Sequence, residues 1–405
     1  MINNDLIYKT SIKNIFLKKT TKKTFSKSFD NITKKILKGL NEQNNIFNIL
    51  STKYNFNFKL RDLKKFKKFK NIAVIGMGGS ILGSEAIQYF LKEKLKKKIF
   101  FFDDIDENKI INFKKKKEFK HTLFIVISKS GNTIETVSNF LYLNVLKRKA
   151  KNIIIISEKK NNFLYNISKK YNLYYIEHKN YIGGRYSVLS ETGIIPAYLM
   201  GVNISYLRKN TSKFLYGKNR AYLKENTLKL MQTLKSKKKS NLVFLNYSPR
   251  LEKFLFWTQQ LIAESLGKKG FGFFPIISNA PKDHHSLLQL YMDGPKDKIF
   301  YIFSVNEKSN KKIQIKKISN HLSFLNNKSL KIIKKAQKNS LIKALNSKKI
   351  PFRELNIKKI NEEAISSLFT YFFLETAIIG KLSGLDPFNQ PAVEKIKVFT
   401  KKFLK

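Results

Sequence analysis

The chain has 405 residues and a mass of 47.3 kDa, which is enough for two ordinary domains with buried cores. Apolar residues make up 42% of the sequence and aromatic residues 13%, and this composition excludes a disordered chain. Because the chain has no cysteine, thiol nucleophiles, thiolate metal sites and redox thiol pairs are excluded as well.

The formal net charge is +52, from 80 basic and 28 acidic residues. Such an excess suggests nucleic-acid binding, because Lys and Arg displace counterions from phosphate backbones. However, 73 of the basic residues are Lys and only 7 are Arg, the residue that binds phosphates and bases bidentately. The Lys residues are also spread from end to end among Asn, Ile and Phe. We therefore interpret the charge as a bias toward A/T-rich codons and predict no specific nucleic-acid partner, although the field would attract an anionic substrate.

Residues 1–44 are rich in Lys and Asn and carry apolar residues at helical spacing, so we predict an N-terminal helical segment. From Asn71 onward, apolar runs that suit buried strands alternate with helix-length segments. The predicted strands of the first half are 71–76, 98–102, 122–127, 152–156 and 173–176. Those of the second half are 241–246, 272–277, 298–305 and, more weakly, 351–357.

This alternation predicts an α/β fold with two domains, each a doubly wound and mainly parallel sheet with helices on both faces. We expect the first domain over residues 45–205 and the second over 206–390, followed by a C-terminal helix over 391–405. The N-terminus lacks the apolar core of a signal peptide, so we expect a cytoplasmic protein. The longest apolar stretch, Ser367–Leu382, carries two charges and is too short to span a bilayer, so no membrane association is predicted.

Eight of the seventeen glycines lie at or just after apolar runs of the first predicted domain. Ligands of open α/β sheets bind at the carboxyl ends of the strands, where such loops lie. The first loop, Ile75–Gly83 (IGMGGSILG), lets a ligand approach the backbone near Gly79 and Ser80. Its spacing differs from the dinucleotide fingerprint GxGxxG, and a phosphate or sugar loop and a tight turn both stay open.

The second segment, Ser128–Thr136 (SKSGNTIET), directly follows a predicted strand. A monoester phosphate needs several donors and the positive end of a helix, and this stretch supplies both. The alternative is a cluster of N-cap residues, but one cap needs only one hydroxyl, so the surplus favours phosphate. No Walker sequence accompanies it, and we therefore expect a small phosphorylated metabolite rather than a nucleotide.

Two further segments each offer one charged candidate. Gly183–Gly193 (GGRYSVLSETG) places Arg185 in a glycine loop at a predicted strand end, where a surface ion pair is the alternative. Gln260–Lys268 (QLIAESLGK) is predicted to be helical, so that Gln260 and Glu264 share one face because they are four residues apart. A helical Glu in isolation is usually only a solvated charge.

The last two segments hold a histidine pair and a lysine. Asp283–Asp297 (DHHSLLQLYMDGPKD) contains His284 and His285, but adjacent side chains point in different directions and no Asp/Glu–His spacing supports a metal. We predict no metal site and favour one His that moves a proton. In Asn389–Lys397 (NQPAVEKIK) a helix is predicted to start at Pro391, with Glu394 and Lys397 three residues apart. Lys397 by itself means little in a chain with so many lysines.

In their order along the chain, six segments together resemble the glucose-6-phosphate isomerase (phosphoglucose isomerase) family over residues 71–397. They are IGMGGSILGSEA, SKSGNTIET, GGRYSVLSETG, QQLIAESLGK, DHHSLLQLYMDGPKD and NQPAVEKIK. GGRYSVLS and QPxVExxK are specific to that family, whereas the first glycine loop and SKSGNT are shared with other sugar-phosphate proteins of the SIS type.

The resemblance implies two SIS domains and a reversible conversion of glucose 6-phosphate to fructose 6-phosphate in glycolysis and gluconeogenesis. The reaction would open the sugar ring and pass through a cis-enediol(ate), with no cofactor and no metal. A homodimer is also implied, because in this family the catalytic His comes from the neighbouring subunit. The family pattern of a His followed by a Ser points to His285, but helical direction alone does not separate it from the adjacent His284.

The resemblance assigns roles to single residues. The residues implied to bind the sugar phosphate are Ser128, Lys129, Ser130, Thr133, Gly79 and Ser80. Glu264 is implied to be the base that moves the proton between C1 and C2, and Arg185 to face the enediolate oxygens. The residues implied to open the ring are His285 and Lys397, and those implied to position the sugar are Gln260, Gln390 and Gly184.

Two related functions stay open at this point. One is a bifunctional isomerase that also accepts mannose 6-phosphate, and the other is a SIS-domain sensor that binds a sugar phosphate without turnover. Sensors usually carry a helix-turn-helix domain, which residues 1–70 do not show. The related glutamine-dependent aminotransferase would need an N-terminal cysteine, and this chain has none.

Overall fold

The structure is a computed structural model, and it describes residues 6–307, 311–314 and 320–404, apart from the side chains of Asn320 and Lys395. The strands within this range form two sheets. In chain order they are β1 (Ile7–Lys9), β2 (Asn71–Ile75), β3 (Lys98–Phe102), β4 (Thr122–Ile127), β5 (Ile153–Ser157), β6 (Tyr174–Glu177), β7 (Asn241–Asn246), β8 (Phe274–Asn279), β9 (Lys298–Val305) and β10 (Phe352–Ile357).

The first sheet has the strand order β3-β2-β4-β5-β6, and every neighbouring pair is parallel. Its strands are continuous apolar runs because parallel strands are covered on both faces. Ile72 and Val74 belong to the core on one face, and Ala73 and Ile75 belong to the core on the other. The predicted arrangement of helices on both faces is therefore confirmed for this sheet.

The second sheet has the order β1-β10-β9-β7-β8 and is parallel except for β1, which pairs antiparallel with β10. It too separates two cores, with Leu242 and Phe244 in one and Val243 and Leu245 in the other. All nine predicted strands are present, and their ends differ from the prediction by at most two residues.

The strand β1 corrects the prediction that residues 1–44 form a helical segment only. Ile7–Lys9 pairs with Leu355–Ile357, near the other end of the chain, and so covers the edge of the second sheet. Three residues are too few for a period-two pattern to show in a sequence, and only the tertiary pairing defines them as a strand.

The helices connect these strands and cover the two sheets. In chain order they are α1 (Lys19–Gly39), α2 (Leu60–Leu63), α3 (Leu82–Leu91), α4 (Glu107–Lys115), α5 (Ile134–Leu143), α6 (Phe163–Lys170), α7 (Glu191–Met200), α8 (Ile204–Leu207), α9 (Gly217–Ser236), α10 (Glu252–Leu266), α11 (Leu288–Asp293), α12 (Leu330–Ser347), α13 (Glu362–Leu382) and α14 (Glu394–Phe403). The N-terminal α1 packs against α9 and α13, on the side of the second sheet.

The two halves of the chain meet where α3 packs against α10. Ala86 and Phe90 of α3 share one hydrophobic core with Leu255 and Leu261 of α10. Because α3 begins just after the first glycine loop, this packing places that loop beside α10.

The helix α13 is the central core helix. Its length and apolar composition would allow it to cross a membrane, but 89% of its most apolar stretch is buried inside the protein, against α1, α9 and α10. The sequence argument that this stretch is too short to span a bilayer was therefore wrong, because the helix has 21 residues. Its apolar character is explained by its position in the core.

A buried ion pair joins α13 to β10. The Arg353 guanidinium donates to both carboxylate oxygens of Glu375 at 3.0 and 2.8 Å, and the Tyr371 hydroxyl donates to the same carboxylate at 2.6 Å. Arg353 is fully buried and also lies over the ring of Tyr301, with its guanidinium carbon 3.7 Å from the ring centre. The one acidic residue in the apolar middle of α13 is thus neutralised by the neighbouring strand.

We expect Glu375→Gln to destabilise the fold by about 3–5 kcal/mol, because it leaves the Arg353 charge buried without a counter-charge. A urea titration followed by circular dichroism measures the change. The control is Asp293→Asn, which removes an exposed carboxylate 3.8 Å from Lys348 and should change stability by less than about 1 kcal/mol. Equal effects of the two substitutions would contradict a structural role for the buried pair.

Candidate active site

Two glycine loops meet backbone to backbone at the carboxyl edge of the first sheet. The turn Gly78–Ser80 follows β2, and the turn Gly184–Leu189 follows β6. A Cβ atom on Gly79 would lie 2.2 Å from the Gly184 carbonyl carbon, so the approach of the two loops requires glycine at position 79. Gly78 has φ +51, and a Cβ there would lie 2.6 Å from Nε2 of Gln260 on α10.

The predicted phosphate loop lies next to them, because β4 is the neighbour of β2. Thr133 is the N-cap residue of α5, yet its hydroxyl does not cap the helix and instead bonds to the Ser128 hydroxyl at 2.8 Å. The Gly131 amide donates to the same Ser128 oxygen at 3.2 Å. The Thr133 side chain therefore does not occupy the amide groups in the first turn of α5, which favours an anion site over a cluster of N-cap residues.

Lys129 is held between two protein groups at the edge of this loop. Its ammonium donates to the Asn180 carbonyl at 2.8 Å and lies 3.7 Å from the Glu158 carboxylate. Burial lowers the pKa of Lys129; the Glu158 carboxylate opposes this, and nearby cations that include Arg185 lower the pKa further. Glu158 is itself buried, so it limits how far Lys129 can turn toward a phosphate.

Arg185 forms the centre of the site and is only 2% exposed. Its Nε donates to the Ser265 hydroxyl at 2.8 Å, and its Nη2 donates to the carbonyl oxygens of Pro387 and Asn389 at 2.6 and 2.9 Å. Its Nη1 donates to Glu264 at 3.1 Å and to Gln390 Oε1 at 2.7 Å. All five N–H donors of the guanidinium are thus in use.

Glu264 and Gln390 are the two exchangeable partners of Arg185. The other acceptors are backbone carbonyls or the buried Ser265 hydroxyl, which cannot turn away easily. An oxygen atom of a ligand can therefore reach Arg185 at Nη1 only, by displacing one of these two side chains.

The Glu264 carboxylate is fixed at both oxygens. Gln260 Nε2 donates to Oε1 at 3.0 Å from one turn earlier on α10, and Arg185 Nη1 donates to Oε2. The Glu264 side chain nevertheless keeps 32% of its surface exposed. A carboxylate that is oriented and still accessible has the geometry of a general base.

The two adjacent histidines, His284 and His285, differ in their contacts. His284 is half-buried, and its Nε2 forms a hydrogen bond of 2.8 Å with the hydroxyl of Tyr247. Burial lowers the pKa of His284, and the adjacent His285 charge lowers it further. His285 is exposed, and within the described chain its ring has no hydrogen-bond partner. The structure does not bring either ring into hydrogen-bond contact with Arg185 or Glu264.

Lys397 is likewise not brought to the Arg185 cluster. It lies on α14, with 59% of its side chain exposed, and its ammonium pairs with Glu394 of the same helix at 2.7 Å. Gln390, seven residues earlier, does reach Arg185, so the C-terminal segment touches the site before α14 begins.

Two sets of hydrogen-bond acceptors that hold Arg185 in place were not predicted from the sequence. Ser265 accepts from its Nε and also bonds to the Tyr186 hydroxyl at 2.9 Å. The loop that supplies the carbonyls of Pro387 and Asn389 was not predicted either, because a backbone acceptor leaves no signal in residue type. Among the residues described, no group of three or more His, Cys, Asp or Glu side chains could hold a metal ion.

Comparisons with known proteins give one consistent result. Residues 59–405 match the family model described as phosphoglucose isomerase. The chain is 35% identical to a probable glucose-6-phosphate isomerase of Methanococcus maripaludis, over 91% of this chain and 86% of that protein. It is 31% identical to the glucose-6-phosphate isomerase of Methanocaldococcus jannaschii, over 100% of both chains.

One solved structure extends the likeness to the fold. A hypothetical protein of Thermus thermophilus superposes with a TM-score of 0.81 at 24% identity and covers 95% of this chain and 96% of its own. The whole two-sheet architecture is therefore shared with a protein of known structure.

We expect Gly79→Ala to lower kcat/KM at least tenfold, a change of about 1.4 kcal/mol, because its methyl group forces the two glycine loops apart and displaces Arg185. Steady-state kinetics with fructose 6-phosphate measures the change. Gly183→Ala is the control, since a Cβ there meets only ordinary contacts at 3.6 Å and should be tolerated. Full activity of Gly79→Ala would contradict the backbone-to-backbone contact.

Proposed function

The chain belongs to the phosphoglucose isomerase family, and from this premise we propose that the cluster around Arg185 and Glu264 interconverts glucose 6-phosphate and fructose 6-phosphate. The family match confirms the resemblance found in the sequence and the enzyme class, an aldose–ketose isomerase of sugar phosphates. The observation that supports the assignment of residues is the Glu264 carboxylate, oriented at both oxygens beside the two glycine loops.

We assign the sugar phosphate to the start of α5. The loop from Ser128 to Thr133 offers hydroxyl groups and uncapped amides there, and the helix dipole adds a partial positive charge. Gly79 and Ser80 of the neighbouring loop complete the phosphate pocket. Lys129 contributes charge from the side, where Glu158 holds it.

We assign the proton transfer to Glu264. Isomerisation takes a proton from C2 of the open-chain aldose and returns it to C1, while the hydroxyl proton of O2 is lost and O1 gains one. One carboxylate that reaches both carbons can carry the carbon-bound proton in either direction, and general acid–base catalysis of this kind contributes about 10²–10⁴ in rate. Gln260 keeps the carboxylate oriented throughout.

We assign stabilisation of the enediolate to Arg185. Negative charge develops on O1 and O2 when C2 loses its proton, and a fixed guanidinium in a site shielded from water is worth roughly 3–4 kcal/mol there. Arg185 Nη1 offers the exchangeable position, and the Gln390 amide can turn from the arginine toward a sugar hydroxyl. Gly184 lies next to Arg185 and lines the same space.

Ring opening is the step that we assign to His285 and Lys397, as an acid and base pair. Both are exposed in the single chain and lie apart from the Arg185 cluster. An exposed His without a hydrogen-bond partner in the described chain suits a residue donated to a neighbouring subunit, and we therefore propose a homodimer. We also propose a cytoplasmic location, since the reaction belongs to glycolysis and gluconeogenesis.

We expect Glu264→Gln to lower kcat by about 10²–10⁴ while fructose 6-phosphate binding stays nearly unchanged. The assay couples glucose 6-phosphate formation to NADP reduction through glucose-6-phosphate dehydrogenase, with EDTA present to test independence from metals. Glu252→Gln, at the start of the same helix, is the matched control and should keep full activity.

Two outcomes would overturn this assignment. Loss of binding with full turnover of the bound fraction in Glu264→Gln would remove Glu264 from the role of base. Binding of fructose 6-phosphate by the unmodified protein without any turnover would favour the sugar-phosphate sensor instead.

We expect His285→Ala to slow turnover of ring-form substrate far more than His284→Ala. His284 is bound to Tyr247, so its removal should mainly lower the thermal unfolding temperature. Turnover and unfolding temperature are measured for both variants under the same conditions. The reverse pattern would exchange the two assignments.

A further inference from the structure

A cavity of about 530 Å³ lies at the carboxyl edge of the second sheet, where β7, β9 and β10 end. Its wall includes Tyr247, Ser304, Asn306 and Asn356 from these strand ends and one face of α12. The volume falls within the ~300–1,000 Å³ of small-molecule sites, and the carboxyl edge is where open α/β sheets bind ligands. The proposed substrate site uses the equivalent edge of the first sheet.

Four lysines of α12 line this cavity. Lys331, Lys334, Lys335 and Lys338 are spaced i, i+3, i+4 and i+7, which places four ammonium groups on one face of the helix. Lys338 is only 6% exposed, and Lys331 and Lys334 are half-buried. Lys335 is exposed. A compositional bias toward Lys accumulates on solvent-facing surfaces, whereas three of these four side chains are partly or fully buried beside the strand ends.

Most of this positive charge is not neutralised by the protein. Lys338 pairs with Glu354 and donates to the Ser304 hydroxyl at 3.2 Å. The carboxylate in the cavity wall, Glu307, is taken up by Arg250, at 3.4 Å, and by the Ser248 hydroxyl, at 2.9 Å. The other three lysines pair with no carboxylate of the described residues.

The position of these lysines near the start of α12 adds a second unfavourable electrostatic interaction. Lys331 lies in the first turn of the helix, which contains no acidic residue, so its charge opposes the helix dipole in addition to the repulsion among the lysines. A bound anion would remove both repulsions at once.

We propose that this cavity binds a phosphorylated small molecule with at least two negative charges, at a site separate from the substrate. The ammonium groups of Lys331, Lys334 and Lys335 hold the phosphate, and the hydroxyl of Ser304 and the amides of Asn306 and Asn356 meet its neutral part. Tyr247 lines the cavity and bonds to His284, so the site is connected to the histidine turn that carries His285.

Thermal unfolding at constant ionic strength gives the first test. The variant Lys331→Gln/Lys334→Gln/Lys335→Gln keeps the buried Lys338, so the fold should be preserved. In the absence of phosphate compounds we expect its unfolding temperature to rise above that of the unmodified chain, because the mutual repulsion is gone. Pyrophosphate should then stabilise this variant less than it stabilises the unmodified chain.

Calorimetric titration with pyrophosphate gives the second test. The full chain with Ser128→Ala/Thr133→Val, which weakens the proposed phosphate loop, serves as the background. Adding the three α12 substitutions should lower the number of bound pyrophosphates by one per chain, or weaken that binding at least tenfold. Both proteins in this comparison carry the same substitutions in the substrate loop, so any pyrophosphate binding that remains at that loop is the same in both. A wrong assignment of the substrate site would therefore not be mistaken for a failure of the proposed α12 site.

The matched control is Lys115→Gln/Lys116→Gln/Lys117→Gln. These exposed lysines line another lysine-rich groove, of about 1,120 Å³, at the opposite, amino edge of the first sheet. The control removes the same charge and should leave pyrophosphate binding unchanged. The proposal would be overturned if pyrophosphate binding did not fall in the α12 variant. It would also be overturned if binding fell equally in the control, because the loss would then follow from the net charge of the whole chain.

Discussion

The guanidinium of Arg185 is the interaction on which the geometry of the site depends. Its five N–H groups bind acceptors from α10 and from the loop that precedes α14, while its own backbone lies in the second glycine loop. These segments are far apart in sequence, and a buried guanidinium with any donor unsatisfied would be costly. Satisfying it therefore fixes the glycine loop, the helix and the C-terminal loop relative to one another.

Other parts of the fold support the meeting of these segments at Arg185. The packing of α3 against α10 joins the two halves of the chain, and the absence of a side chain at Gly79 lets the loops touch. Glu264 gains its orientation from Arg185 on one side and Gln260 on the other. The substrate oxygens would then replace partners that Arg185 already has, so that the site exchanges one set of hydrogen bonds for another instead of creating an unpaired charge.

The lysines that give the chain its net charge of +52 lie in different environments in different parts of the molecule. The many exposed lysines, such as Lys115, are explained by the biased composition of the chain, and water solvates the charge of each one. Lys129 is half-buried and Lys338 is buried, and the protein supplies Glu158 and Glu354 as their counter-charges. A count of lysines cannot separate these cases, because the energy of a charge depends on its burial and its partners.

The sequence by itself determined the nine main strands, the two parallel sheets and the order of the motif segments, because buried strands need unbroken apolar runs and glycine loops mark their ends. It also identified Arg185, Glu264, Gln260 and Gln390, whose proximity the structure shows. Tertiary structure alone decided the pairing of β1, the acceptors of Arg185 and the difference between His284 and His285. Each of these depends on backbone groups or on contacts between distant residues, and neither leaves a pattern in local sequence.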